Sequence, residues 1–134
     1  MSLLPVTALY AGALTLWLLF LTAAVVVARR RHKVSLGDGD VPELRRRVRA
    51  HANAAEQIPP FLIALALSES LDGPNWLMHL FGLAFTAGRL IHGWHFLAAR
   101  TDFRFRMIGQ AVSMTVLGLL AVGLVAHGLA DLVD

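Results

Sequence analysis

From Leu3 to Ala28 the chain runs for 26 residues without a charged side chain, and Arg29-Arg30-Arg31-His32-Lys33 follows immediately. A helix rises about 1.5 Å per residue, so about 20 apolar residues cross a hydrocarbon core of roughly 30 Å. The run is long enough to span a bilayer. A secretory signal carries its basic segment ahead of a short apolar stretch. Here the order is reversed, so this segment is expected to stay in the mature protein as its first helix. With 57% hydrophobic residues and a mean hydropathy of +0.63, the chain reads as an integral membrane protein.

The absence of cysteine excludes disulfides, thiolate metal sites and cysteine nucleophiles. A pI near 10.6 raises the question of nucleic acid. Of the 12 Lys and Arg residues, however, 11 lie between Arg29 and Arg49 or between Arg100 and Arg106, beside apolar segments. They set topology and form no free basic domain, so no nucleic-acid partner is expected. The positive-inside rule puts both of these connections in the cytoplasm. The two termini and the turn at residues 72–75 then face the opposite side.

Residues 1–134 read as one all-α domain with helices at about 4–31, 43–71, 76–99 and 106–132. Gly37-Asp38-Gly39-Asp40 favours a turn, and Pro42 and Glu43 suit the first positions of the second helix. That helix has only 14 apolar residues, Ile58 to Leu71, so part of its polar half must enter the bilayer depth. Pro59-Pro60 removes two backbone donors and predicts a kink. Asp72-Gly73-Pro74-Asn75 forms the next turn. Trp17 falls deep in the first helix, whereas Trp76 and Trp94 fall near the ends of the third, as interfacial anchors do.

The polar residues within this apolar frame are the candidates for chemistry. Arg49, Asn53 and Glu56 follow i, i+4 and i+7 and share one helical face. In the third helix, Arg89, His92 and Phe96 share another. Arg89 cannot shed its charge and needs a carboxylate or an anionic ligand, and Glu56 is the partner expected at matching depth. His92 and His95 lack a third convincing ligand, so no metal is expected. His51 lies off the Arg49 face, His127 sits near the far end and is expected to be structural or interfacial, and Glu69 and Asp72 fall near the same far interface and are expected to be exposed. Arg104 and Arg106 either anchor the fourth helix or present a cation to a thiolate, lowering the thiol pKa and stabilising developing charge.

Arg46-x-x-Arg49-Ala50-His51-x-Asn53-x-x-Glu56-x-Ile58-x-Pro60-Phe61, then Gly88-Arg89-x-x-His92, then Arg106, resemble the MAPEG family, the membrane-associated proteins in eicosanoid and glutathione metabolism. The resemblance covers all four helices in order and points to the short bacterial branch. It implies a four-helix bundle protomer that assembles as a homotrimer in the bacterial inner membrane, with glutathione bound between protomers near the cytoplasmic side. By position it assigns Arg49, Asn53, Glu56, Arg89 and His92 to the polar glutathione site. One residue of Arg29 to Arg31, taken as Arg30, matches a helix-one contact. Arg106, with Arg104 as the alternative, matches the arginine that activates the thiol. Ala52 and Phe96 depart from members that carry arginine and tyrosine there, which removes two donors and argues against prostaglandin or leukotriene synthesis.

The leading expectation is a membrane glutathione transferase or peroxidase-like protein acting on small hydrophobic electrophiles that enter from the lipid. The alternative is a non-enzymatic lipid-binding or scaffolding member of the same fold. A small multidrug transporter is disfavoured, because the first helix lacks the membrane-embedded carboxylate such proteins commonly use.

Overall fold

The computed structural model describes residues 4–98 and 102–133. Leu3, Ala99 and Arg100, which figure in the expected spans and basic flank, lie outside the described residues. Four helices follow in order: α1 (Pro5–His32), α2 (Pro42–Ser70), α3 (Asn75–Leu97) and α4 (Phe103–Asp131). Pro5 and Pro42 open α1 and α2, where a missing N–H costs nothing. Between these helices, Gly37, Gly39 and Asp40 take left-handed backbone angles, with φ of 68°, 55° and 56°. Asp38 closes that turn by accepting from the Asp40 N–H at 3.1 Å and from Arg45 at 2.7 Å.

Helix α4 begins at Phe103, three residues before the position expected from the sequence. Asp102 is its N-cap and accepts from the Arg104 N–H at 3.0 Å. Arg104 and Arg106 therefore both sit inside the first turns of the helix. Helix α2 continues through Pro59 and Pro60, whose rings face outward. In a regular helix their missing N–H groups would have bonded the carbonyls of Ala55 and Glu56, which are left without those donors.

The interior is built from Leu14 and Leu21 of α1, Phe61 and Leu65 of α2, Phe85 of α3 and Val116 and Leu120 of α4. The rings of Phe61 and Phe85 stack with centroids 3.8 Å apart. Glycines set how closely the helices approach. A Cβ on Gly88 would lie 2.5 Å from Ser113 Oγ and 2.9 Å from the Gly109 carbonyl oxygen. A Cβ on Gly109 would lie 2.6 Å from the Gly88 carbonyl oxygen, so α3 and α4 meet nearly backbone to backbone. Trp17 packs against α3 at Gly93, while Trp76 and Trp94 are exposed. Helices α2 and α3 lie between α1 and α4, whose backbones do not come close to each other among the described residues.

Glu69 overturns one expectation. Instead of lying exposed at the interface, it is 8% exposed and accepts from the N–H groups of Val6 at 2.9 Å and Thr7 at 2.7 Å. Pro5 has no N–H, so these are two of the three donors that the start of α1 cannot satisfy within the helix. A carboxylate at that end also complements the helix dipole. The opposite ends of α1 and α2 are tied through Glu43, which meets Arg47 at 2.8 Å, His32 at 2.9 Å and Arg31 at 3.4 Å. The His32 hydrogen bond, with the nearby Arg47 and Arg31 charges, holds the Glu43 carboxyl below its ordinary value.

The distribution of polarity suits a lipid environment. Leu9, Leu16, Phe20, Leu119, Val122 and Val125 are exposed, while Glu69, Arg89, His92 and Ser113 are buried. Water would penalise that outer surface, whereas hydrocarbon would not. Helices α1 and α4 are long and apolar enough to cross a membrane. Apart from Glu69, helix α2 carries its charged residues in its first half, and α3 carries the buried Arg89 and His92.

Candidate functional site

Arg89 organises the polar interior. It is 2% exposed. Its Nε donates to Ser113 Oγ at 2.8 Å and one Nη1 hydrogen to Asn53 Oδ1 at 2.7 Å. Its Nη2 donates to the Gly109 carbonyl at 3.2 Å and to Gln110 Oε1 at 3.1 Å. Four of its five donors are thus used on α2 and α4. The expected pair with Glu56 does not form: every acceptor on Arg89 is a neutral oxygen, and Glu56 is exposed. The physical reason is helical phase. Asn53 lies toward the α3 edge of its face and reaches Arg89, while Glu56, farther round the helix, points out of the protomer.

The helix-two group is therefore divided. Asn53 belongs to the interior network. Arg49 and Glu56 are exposed and have no ion-pair partner among the described residues. They fall on an outward strip of α2 that continues through Pro60, Ile63 and Leu67. The spacings of 7, 4, 3 and 4 hold all five residues on one side of the helix.

His92 and Arg106 meet at a cleft of about 370 Å³, lined with them by Met107, Gln110 and Ala111. That is within the usual size of a small-molecule site. The Arg106 guanidinium carbon lies 5.9 Å from the centre of the Phe96 ring, within cation–π range, and the His92 ring lies 5.2 Å from the same ring. Arg104 turns elsewhere, with its Nε 3.8 Å from Asp102. Of the two arginines, Arg106 shares the cleft with His92. Gln110 links the two polar groups, since it accepts from Arg89 and also lines the cleft. Arg30 lies apart from both, in a separate cleft at the end of α1.

The sequence reading missed Ser113, Gln110 and the Gly109 carbonyl as partners of Arg89. The available signal was Gly109-Gln110-x-x-Ser113, which sets two small residues at i and i+4 beside an amide in an otherwise apolar helix. Gln57 Oε1 and Thr86 Oγ1 are also buried and carry no partner among the described residues.

A four-helix protein with an apolar exterior and a buried cation network belongs to the integral membrane class. The comparisons sharpen this: residues 7–126 match the MAPEG family, and the chain is a member of that family. It is 34% identical over 119 residues to inner membrane protein YecN of Escherichia coli (strain K12), covering 87% of this chain and 88% of that one. The protein of the same name from Escherichia coli O6:H1 (strain CFT073) matches to the same extent.

Proposed function

We propose that the chain is a membrane glutathione transferase or peroxidase-like protein of the bacterial inner membrane. In this reading it works as a homotrimer, with its basic connections in the cytoplasm. The observation that carries the reading is the cleft in which Arg106 and His92 stand together beside Gln110. Glutathione brings two carboxylates, one ammonium and a thiol. The exposed α2 strip offers Arg49 for a carboxylate and Glu56 for the ammonium, both without ion-pair partners among the described residues, and Arg30 is a further cation for the second carboxylate. The trimer is what would bring these groups of neighbouring protomers around one ligand. Asn53 and Arg89 support the site from within.

The chemistry needs no metal. The thiol gives its proton to solvent, and the Arg106 guanidinium stabilises the thiolate. In a conjugation, the sulfur pair forms a bond to the carbon of a hydrophobic electrophile, and the leaving group departs with the electrons of the broken bond. In a peroxide reduction, the sulfur attacks the distal oxygen of a lipid hydroperoxide. The alkoxide departs and takes up a proton, and a second glutathione then resolves the sulfenic acid to disulfide and water. Isothermal titration of the purified trimer with glutathione tests the binding step. A saturable heat at millimolar ligand is expected, and its absence in an intact trimer rejects the reading.

A second reading, a non-enzymatic lipid-binding or scaffolding member, draws on Arg89. Its hydrogen bonds are spent inside the protomer, and Phe96 offers Arg106 a ring face without a hydroxyl. Arg106→Ala separates the two readings. Loss of thiol conjugation with assembly preserved supports the enzyme, whereas a wild-type lacking any turnover supports the scaffold.

A further inference from the structure

Helix α1 ends in a basic cluster that the fold uses only in part. Arg31 and His32 are engaged by Glu43. Arg29, Arg30 and Lys33 have no acidic partner among the described residues, and all three line a cleft of about 340 Å³ with Val26, Val34 and Ser35. Three cations grouped without acidic partners repel one another, and an anion in the cleft would offset that repulsion.

The rest of the cleft says which kind of anion. Leu19, Val26 and Arg30 are spaced by 7 and 4 residues and share one face of α1, and Lys33 caps its C-terminal end. Leu19 is 58% exposed and Val26 41%, so an open apolar strip runs along the span and ends at three cations. A soluble anion matches the cations and leaves the strip unused. An amphiphile with a phosphate head and an acyl chain matches both. We infer that this cleft binds an anionic phospholipid, its phosphate held by Arg29, Arg30 and Lys33 and its chain lying along Val26 and Leu19. The site stands apart from the thiol reading and shares only Arg30 with it.

The test uses the full chain reconstituted in nanodiscs holding equal amounts of phosphatidylglycerol and phosphatidylcholine, with native mass spectrometry counting the lipids retained on release. Wild-type protein is expected to retain phosphatidylglycerol preferentially. Each cation near an anionic head contributes about fivefold, so Arg29→Gln with Lys33→Gln lowers the preference by about 25-fold. The charge-preserving pair Arg29→Lys with Lys33→Arg keeps it, as does Arg45→Gln, which removes a cation from the loop face. The inference is overturned if the double Gln variant retains phosphatidylglycerol like wild type, or if Arg45→Gln lowers the preference equally, which would mark a response to net charge. Displacement of the lipid by millimolar inorganic phosphate also overturns it, because the cleft would then be a site for soluble anions.

Discussion

Removing the Glu69 side chain is the most direct test of how α1 is held. Its carboxylate accepts two backbone N–H groups, at 2.9 and 2.7 Å, in a place where Val6 and Thr7 are themselves buried. Hydrogen bonds to a charged group contribute about 1.5–3 kcal/mol each, and buried donors left without acceptors retain their desolvation cost. The lower end applies to an N-terminal turn that can fray toward the headgroups, so Glu69→Ala should cost about 3 kcal/mol. Glu69→Gln keeps one oxygen and turns an amide donor toward the other N–H, and should cost about half as much. The assay is unfolding of the protein in mixed micelles by titration with a denaturing detergent, followed by tryptophan fluorescence. Amide hydrogen exchange at Val6 and Thr7 runs in parallel. If the first turn opens locally, exchange rises at those two amides while the global midpoint moves less. The reasoning is refuted if Glu69→Ala leaves both the midpoint and these exchange rates at their wild-type values.

Gly88→Ala puts a methyl group 2.5 Å from Ser113 Oγ, so α3 and α4 must part and the Arg89 bonds to α4 must lengthen; a loss of about 1–3 kcal/mol is expected in the same unfolding assay. Because folding lowers the Glu43 carboxyl from its ordinary value of 4.5, its contribution is fully present above pH 4.5 and is lost as pH falls below it. Melting curves should show stability dropping in that acidic window, with a smaller drop for Glu43→Gln. In a glutathione conjugation assay, Arg106→Ala should lower kcat by about 100-fold or more, the scale of losing one group that stabilises developing charge. Arg104→Ala, whose side chain lies by Asp102, should stay within about threefold of wild type; equal losses would mean that Arg106 has no special place.

The helices were legible because their signals are long. An uncharged run followed by arginines, and Pro42 after a Gly-Asp turn, leave few alternatives for α1 and α2. The site was legible residue by residue more than pair by pair. Arg89 announces that a buried cation needs acceptors, but the sequence does not say which neighbour supplies them. A carboxylate is the strongest candidate by charge, yet four neutral oxygens at 2.7–3.2 Å fill the role. Ser113 and Gln110 escaped notice because one hydroxyl and one amide barely alter the hydropathy of a long apolar helix. Glu69 was misplaced for a different reason. Its depth along α2 was evident, but its contact with the start of α1 depends on how two antiparallel helices are rotated about their axes.

The neutrality of the Arg89 shell has an electrical consequence. Oxygen dipoles solvate the guanidinium but do not cancel its charge, so a full positive charge remains inside a low-dielectric bundle and its potential reaches past Gln110 into the cleft of Arg106 and His92. Any anion settling there meets a favourable background that solvent ions screen poorly. An Arg89→Met variant that still folds should therefore hold a smaller fraction of bound thiol as thiolate, read from its ultraviolet absorbance, although the substituted side chain lies behind the cleft wall. In this protein the buried charge acts as a fixed bias on the site next to it.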